Sequence, residues 1–141
     1  MNQGKFEVDI LDKNGAVIGT KPRKDIIKGS DIYHAVYCVL VTPRGEIAIS
    51  RIAAREDMPN LHAGSYGCTA ATIKRTGETG SEAMERALRD ELSISAQPIL
   101  VEEEMIEVDN TYRKIGLYEV ASEAPNDFNK EDIEDLIVLS K

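Results

Sequence analysis

Two acidic residues, Asp90 and Glu91, stand side by side in a segment whose pattern predicts a helix. Residues three and four apart share one face of an α-helix, so both carboxylates lie near the face that carries Ala87. Two carboxylates placed in this way can bind one hard divalent cation, which takes oxygen ligands and keeps waters and substrate phosphates in its other positions. The pair is therefore a candidate metal site.

The charges of this segment also have a purely structural explanation. Glu82 precedes Arg86 by four residues. Glu85 and Arg89 repeat the same spacing, with the acid on the N-terminal side, which is the order that stabilises a solvent-exposed helix. Spacing alone therefore leaves a salt-bridged surface helix as the alternative to a metal site.

Local signals predict the ends of this helix. Thr79 can cap a helix while the side chain of Glu82 reaches back to the cap, an arrangement called a capping box. The apolar residues that follow form one stripe: Ala83, Ala87, Leu88 and Leu92. Together these signals predict a helix over Gly80–Leu92 that ends near Ser93.

Strands are predicted on both sides of the helix. Asn14-Gly15 between two apolar runs predicts an N-terminal β-hairpin, and residues 33–41 and 46–50 predict a second hairpin whose first strand is buried. Residues 65–73 favour a strand, with a helix as the alternative. Further strands are predicted over 99–108 and 111–120, and residues 133–139 form a last apolar segment. Strands, one helix and more strands indicate a mixed or antiparallel sheet in an α/β or α+β domain.

The segment from Thr72 to Ile94 resembles the Nudix box. The family pattern is Gly, five residues, Glu, seven residues, Arg-Glu, an aliphatic residue, any residue, Glu-Glu, any residue, Gly and an aliphatic residue. The spacing is kept throughout this sequence, and Asp90 replaces one Glu. The positions that match by identity or class are Glu78, Arg86, Leu88, Glu91 and Ile94.

The resemblance extends over nearly the whole chain. The segments around residues 9–15, 33–36, 43–46 and 58–60 are similar to the Nudix branch related to isopentenyl diphosphate isomerase. This implies one domain over residues 1–141 with a Nudix α/β/α sandwich and a mixed sheet. It also implies a hydrolase that cleaves a diphosphate linkage in a nucleotide or related organic diphosphate with Mg²⁺ or Mn²⁺.

The resemblance assigns the catalytic set to Glu78, Arg86, Asp90 and Glu91. Asp90 and Glu91 would bind the cation, and Glu78 would support the box through an ion pair with Arg86. No residue is identified as the general base. Other acidic residues could supply a missing metal ligand, although exposure to solvent on strands and loops is the simpler explanation for their presence. They are Glu102, Glu103, Glu104, Glu107, Glu131, Asp132, Glu134 and Asp135.

Substrate contacts are predicted at a long loop. Arg51 and Arg55 flank residues 51–63 and can bind a phosphate in a bidentate manner, although local pairing with Glu56 and Asp57 is an alternative. Stacking on a nucleobase would fall to a tyrosine, although each tyrosine also has a packing explanation. The candidates are Tyr33, Tyr37, Tyr66 and Tyr112.

Three positions depart from the family pattern: Thr72, Ala87 and Ser93 stand where the family has Gly, Glu and Gly. Ala87 matters most, because a methyl group can neither bind a metal nor accept a proton. The departures predict an impaired site and favour the alternative of a catalytically silent Nudix-fold domain that binds a phosphorylated ligand or a protein partner. If position 87 faces the cation, a Glu there would complete a carboxylate trio, whereas a packed Ala87 would belong to the core.

The histidines and cysteines raise two further possibilities, an isomerase site and a zinc site. The resemblance predicts no isomerase activity, because Ala71 and Ile73 occupy the positions of the isomerase Cys and His. His34 would be a metal ligand by resemblance, but a hydrogen-bonded strand histidine is the favoured explanation. A zinc site built from Cys38, Cys68, His34 and His62 is a further alternative, but these residues have no ligand-pair spacing.

Composition limits the partners. The 141 residues carry 17 Lys and Arg against 25 Asp and Glu, and the net charge of -8 opposes binding to a polynucleotide. The longest apolar run, residues 35–41, is too short to span a membrane. Two distant cysteines predict reduced thiols and a cytoplasmic protein. The oligomeric state stays open, with a homodimer among the alternatives.

Overall fold

A computed structural model describes residues 6–27, 29–52, 66–108, 110–125 and 133–139. The elements within these ranges are β1 (Glu7–Leu11), β2 (Val17–Pro22), β3 (His34–Val41), β4 (Ile47–Ile52), β5 (Tyr66–Gly67), β6 (Ala70–Ile73), α1 (Gly80–Leu92), β7 (Ile99–Val108), β8 (Thr111–Ala121) and β9 (Ile133–Leu139). The predicted helix and the predicted strands on either side of it are confirmed, except that two short strands replace the single strand predicted over residues 65–73. No helix in these ranges is long and apolar enough to cross a membrane.

Seven of these strands form one mixed sheet. Its order is β5-β4-β3-β8-β7, with β6 also paired with β3 and β9 with β4. The parallel pair is β3 with β8, whose register runs from His34 opposite Lys114 to Val41 opposite Ala121. The other ladders of this sheet are antiparallel, so the prediction of a mixed sheet is confirmed. The N-terminal hairpin, β1 with β2, forms a separate two-stranded sheet.

The core lies between this sheet and α1. Alternate residues of β3, namely Val36, Cys38 and Leu40, are fully buried, because successive side chains of a strand point to opposite faces. Helix α1 contributes its predicted apolar stripe together with Met84. The α+β class is therefore confirmed. The resemblance also implied a second helical layer, but α1 is the one α-helix among the described residues.

Residues 66–73 form two short strands rather than one, because the chain changes its partner strand between them. Strand β5 pairs with β4, and β6 pairs with β3. At the change, the buried Thr69 hydroxyl accepts a hydrogen bond from Leu40 N at 2.7 Å and donates one to Ala48 O. Thr69 thereby links β3 to β4, and β6 is positioned beneath α1.

Helix α1 is capped by side chains at its N-terminal end and by a left-handed residue at its C-terminal end. Thr79 accepts a hydrogen bond from Glu82 N while the Glu82 carboxylate accepts one from Thr79 N, as the capping box predicts. At the other end Ser93 adopts φ 57° and ψ 33°, a left-handed conformation that favours glycine. The box therefore keeps its turn although Ser replaces the Gly of the family pattern.

We expect Ser93→Gly to raise the free energy of unfolding by about 1 kcal/mol, because Gly adopts the left-handed conformation without the steric cost of a Cβ. Chemical denaturation of the full chain measures this change. Ser95→Gly is the control, since Ser95 is not among the described residues with a positive φ. A stabilisation of the same size in Ser95→Gly, or none in Ser93→Gly, would contradict the explanation.

Candidate functional site

The side chain of Arg86 connects α1 to the loop that precedes it. Its Nε donates to Glu78 Oε2 at 2.8 Å and its Nη2 donates to Glu78 Oε1 at 3.0 Å, so the ion pair is bidentate. Nη2 also donates to Ile73 O at 3.1 Å, and Nη1 donates to Thr72 Oγ1 at 3.4 Å. Arg86 is 7% exposed. One buried guanidinium therefore fixes the end of β6, the loop and the helix relative to one another.

Glu78 stays ionised at neutral pH. Burial raises the pKa of its carboxyl, but hydrogen bonds from Arg86 and from the backbone N–H of Arg75 outweigh burial and lower the pKa below its ordinary value. Both carboxylate oxygens accept hydrogen bonds from Arg86, and Oε1 also accepts one from Arg75 N at 2.8 Å. This arrangement suits the supporting role expected of Glu78 and Arg86.

Asp90 and Glu91 lie at the C-terminal end of α1 and differ in environment. The Asp90 side chain is 39% exposed, and its Oδ1 lies 3.7 Å from Nε of Arg89. Glu91 is partly buried and lies within electrostatic range of Cys38 and Cys68. Consecutive side chains project from a helix about 100° apart, so Asp90 and Glu91 point in different directions from the last turn of α1.

The described residues offer a cation two adjacent carboxylates rather than a complete cage. Within the ranges that the structure covers, no three His, Cys, Asp or Glu side chains are grouped so that they could hold a metal ion. Mg²⁺ and related hard cations bind one or two carboxylates and complete their shell with waters and phosphate oxygens. Asp90 and Glu91 supply oxygen ligands of the kind that such a cation takes.

Ala87 is a core residue. It is 1% exposed and packs in the cluster that also contains Ala83 and Leu88. The expectation that positions 87, 90 and 91 all face a cation is therefore wrong for position 87, and the alternative that Ala87 is packed is confirmed. The physical reason is that α1 presents this side to the sheet in order to bury its apolar stripe.

His34 is buried at the start of β3. Its Nε2 makes no hydrogen bond to any described residue, contrary to the expectation of a hydrogen-bonded histidine, and lies 3.5 Å from Glu103 Oε2. Burial lowers the pKa of His34, and the nearby cations Lys114 and Lys74 also lower it, against the opposite effect of Glu103. His34 is therefore neutral at pH 7.

Both thiols lie inside the fold, with Cys38 buried and Cys68 partly buried. Burial raises the pKa of Cys38 to about 12, and burial also raises the pKa of Cys68. The Cys68 Sγ donates to Ala70 O at 3.1 Å. Within the described residues, no group of three possible metal ligands includes either thiol. The described residues therefore give no support to the zinc alternative, whose fourth member, His62, lies outside them.

The predicted phosphate contacts fall largely outside the described residues. Arg51 lies in β4, where its backbone is opposite Tyr66 and Asp135, but its side chain is outside the description, and so is all of Arg55. The four glutamates of β7 are exposed, as the solvation explanation expects: Glu102, Glu103, Glu104 and Glu107. Of the other candidate acids, Glu131 and Asp132 lie outside the description, as do the side chains of Glu134 and Asp135.

Arg75 was not singled out from the sequence. Its guanidinium stacks over the ring of Phe6, 3.3 Å from the centroid, and joins the N-terminal hairpin to the box loop. Burial lowers the pKa of Arg75, as does Arg86, while Glu78 and Asp90 raise it. No motif links positions 6 and 75, so only the tertiary structure could place this cation beside the box.

We expect Glu78→Gln to lower the free energy of unfolding by about 1–3 kcal/mol at neutral pH, because it removes the charged partner of a buried guanidinium. The folded-state pKa of Glu78 is lowered, so its stabilisation is present above the ordinary value of 4.5 and is lost as pH falls through the folded-state value. Denaturation of parent and variant between pH 7 and pH 3 should show the difference shrinking. The exposed Glu119→Gln is the control, and a gap independent of pH would contradict this account.

Solved structures share this fold at low sequence identity. The DR0079 protein from Deinococcus radiodurans aligns with a TM-score of 0.79 and 20% identity over 95% of this chain and 83% of that protein. A MutT NUDIX hydrolase from Burkholderia pseudomallei aligns with a TM-score of 0.59 and 17% identity over 77% of this chain and 82% of the hydrolase. The E. coli dihydroneopterin triphosphate pyrophosphohydrolase aligns with a TM-score of 0.57 and 13% identity over 75% of this chain and 79% of that protein.

Comparisons of sequence alone give no relative. No protein-family model matches the chain, and no curated protein matches it. The structural likeness nevertheless covers three quarters of the chain or more. The chain therefore has the fold of the Nudix hydrolases.

Proposed function

We propose that this protein hydrolyses a diphosphate linkage in a nucleotide or related organic diphosphate with Mg²⁺ or Mn²⁺. The observation that supports this proposal is the buried Arg86–Glu78 pair, which fixes the loop against the helix that carries Asp90 and Glu91. The acidic net charge of -8 favours a small, cation-bound substrate over a polynucleotide. Two free thiols suit a cytoplasmic setting.

Each box residue has one role in the proposed reaction. Asp90 and Glu91 would hold the cation, which supplies Lewis-acid polarisation of phosphate oxygens when bound. Arg86 and Glu78 orient the loop, and Arg51 and Arg55 are the proposed phosphate contacts. Water attacks phosphorus, the bridging P–O bond breaks, and the water proton passes to a general base for which we assign no residue.

A second candidate function rests on Ala87. Because this residue is packed in the core, the helix lacks the carboxylate that the family pattern places there. A Nudix-fold domain that binds a phosphorylated ligand or a protein partner without cleaving it would tolerate this loss. A screen of nucleotide sugars, dinucleoside polyphosphates and nucleoside triphosphates with Mg²⁺ and Mn²⁺ separates the candidates, since release of phosphate or pyrophosphate is expected from the hydrolase alone.

We expect Asp90→Asn/Glu91→Gln to weaken Mn²⁺ binding at least about tenfold, because both proposed anionic ligands become neutral amides. Paramagnetic relaxation of solvent water during a Mn²⁺ titration measures the affinity. The control is Glu102→Gln/Glu104→Gln, which makes the same change in net charge on the exposed surface of β7. Equal Mn²⁺ affinity in the parent and the Asp90/Glu91 variant would overturn the assignment.

We expect Ala87→Glu to destabilise the fold by several kcal/mol, because it buries a carboxylate without a partner. Thermal melting with and without Mn²⁺ measures the change, and the loss should persist when Mn²⁺ is added. Ala71→Glu is the control, since Ala71 is exposed on β6. Recovery of the parent melting temperature in Mn²⁺ would show instead that the residue at position 87 can reach the cation.

A further inference from the structure

The loop between β6 and α1 is held by the first strand of the N-terminal hairpin. Consecutive residues of this loop contact residues at the start of β1, and the contacts are an ion pair, a stack on a ring and a backbone hydrogen bond. The pairs are Lys74 with Asp9, Arg75 with Phe6, and Thr76 with Glu7. The hairpin therefore fixes the loop along successive positions rather than at one point.

The ion pair and the backbone bond are short. Lys74 Nζ lies 3.0 Å from Asp9 Oδ2, and the two side chains are 17% and 14% exposed. Water screens a pair of this kind less than it screens a pair on the surface. Thr76 N donates to Glu7 O at 3.0 Å, so the backbone of the loop is tied directly to the backbone of β1.

The stack covers one face of a guanidinium group. Arg75 Cζ lies 3.3 Å from the centroid of the Phe6 ring, a geometry in which the cation is attracted to the ring. The backbone of Phe6 is held in turn, because its carbonyl accepts a hydrogen bond from Arg23 N at 2.6 Å. The ring that carries Arg75 is thus fixed to the residue that follows β2.

The hairpin itself is anchored in the fold. Val8 and Leu11 of β1 are 1% and 5% exposed. Leu11 N also donates to Ile32 O at 2.8 Å, close to the start of β3. A hairpin with buried side chains and a backbone link to the main sheet can hold the loop in place.

The loop passes this constraint to α1 through one carboxylate. Glu78 Oε1 accepts a hydrogen bond from Arg75 N at 2.8 Å and another from Arg86 Nη2 at 3.0 Å. Glu78 Oε2 accepts from Arg86 Nε at 2.8 Å. Printed distances therefore connect Phe6 to Arg75, Arg75 to Glu78, and Glu78 to the helix.

Arg86 has a second possible partner on its own helix. Asp90 follows it by four residues, and residues at this spacing share a helix face and can form an ion pair. The bidentate pair with Glu78 holds the guanidinium away from Asp90. If the loop moved away with Glu78, the released guanidinium would compete with a divalent cation for the Asp90 carboxylate.

We propose that the N-terminal hairpin is a positioning element of the cation site, with Phe6 and Asp9 as its positioning residues. By holding the loop, the hairpin keeps Arg86 on Glu78 and leaves Asp90 available to a divalent cation. This inference rests on the proposed function, because it takes Asp90 and Glu91 as the ligands of that cation. It adds that the affinity of the site is set in part by residues far from it in the sequence.

The test uses Phe6→Ala and Asp9→Asn in the full chain, with two measurements on each. Paramagnetic relaxation of water during a Mn²⁺ titration gives the affinity, and we expect each variant to bind Mn²⁺ at least about threefold more weakly. Hydrogen exchange of the Arg86 Nε–H, followed by ¹H–¹⁵N NMR without metal, reports on the pair with Glu78. We expect this exchange to be at least about fivefold faster in both variants.

Matched controls separate this effect from changes in charge and stability. Asp31→Asn makes the same change in net charge and removes a similar ion pair, since Asp31 Oδ2 lies 2.8 Å from Nζ of Lys21 on β2. Phe6→Tyr keeps the aromatic face under Arg75. Both controls should match the parent in Mn²⁺ affinity and in exchange. Circular dichroism shows that each variant is folded, and both measurements are made well below the melting temperature.

The outcomes decide separately on the hairpin and on the proposed function. Exchange rates in Phe6→Ala and Asp9→Asn equal to those of the parent would overturn the proposal. Faster exchange with unchanged Mn²⁺ affinity would also overturn it, because Arg86 would then be released without effect on the site. Mn²⁺ binding that does not depend on Asp90 and Glu91 would instead overturn the proposed function, and the exchange of the Arg86 Nε–H would still show whether the hairpin holds Arg86.

Discussion

The Arg86 guanidinium is the constraint on which the site depends. A buried charge is tolerated only when it is paired and its donors are satisfied, and Arg86 meets this requirement through Glu78, the carbonyl of Ile73 and the hydroxyl of Thr72. These partners belong to the end of β6 and to the loop before α1. Helix, loop and strand can therefore move apart only if the guanidinium loses its partners.

The sheet is arranged so that Arg86 can reach these partners. Strands β3 and β4 share the pairs Leu40–Ala48 and Val41–Ile47 at one end and then separate, with residues 66–73 between them. Thr69 replaces part of the missing β3–β4 ladder with its side chain hydroxyl. Because β6 pairs with β3 in this gap, Thr72 and Ile73 lie directly under the middle of α1.

Close contacts fix the N-terminal end of α1. A Cβ at Gly80 would overlap the hydroxyl of Tyr118, and a Cβ at Gly116 would lie 3.2 Å from Cε1 of Tyr118 and 3.4 Å from Nε2 of His34. The absence of side chains at these two glycines lets α1 approach β3 and β8. The first turn of α1 is thus held by the close contact of Gly80 with Tyr118, and its middle by the Arg86–Glu78 ion pair. Asp90 and Glu91 follow at the last turn.

The sequence by itself determined the features that depend on neighbours along the chain. The capping box joins Thr79 to Glu82, and the stripe from Ala83 to Leu92 has the period of a helix, so α1 was predicted with its boundaries. The box pattern likewise placed Glu78 and Arg86 eight residues apart, and the structure joins them. Residues 133–139 were identified from the sequence as a last apolar segment, and the family resemblance implied that this segment is a strand, which the structure shows as β9.

Only the tertiary structure decided which positions meet across the fold. It divided residues 66–73 between two partner strands, buried Ala87 against the sheet, and left His34 Nε2 without a hydrogen bond among the described residues. It also brought the Arg75 guanidinium onto the ring of Phe6, sixty-nine positions earlier in the chain. Such contacts are set by strand order, register and the rotation of α1, and no local periodicity encodes them, because periodicity reports which face a residue occupies and not what lies opposite.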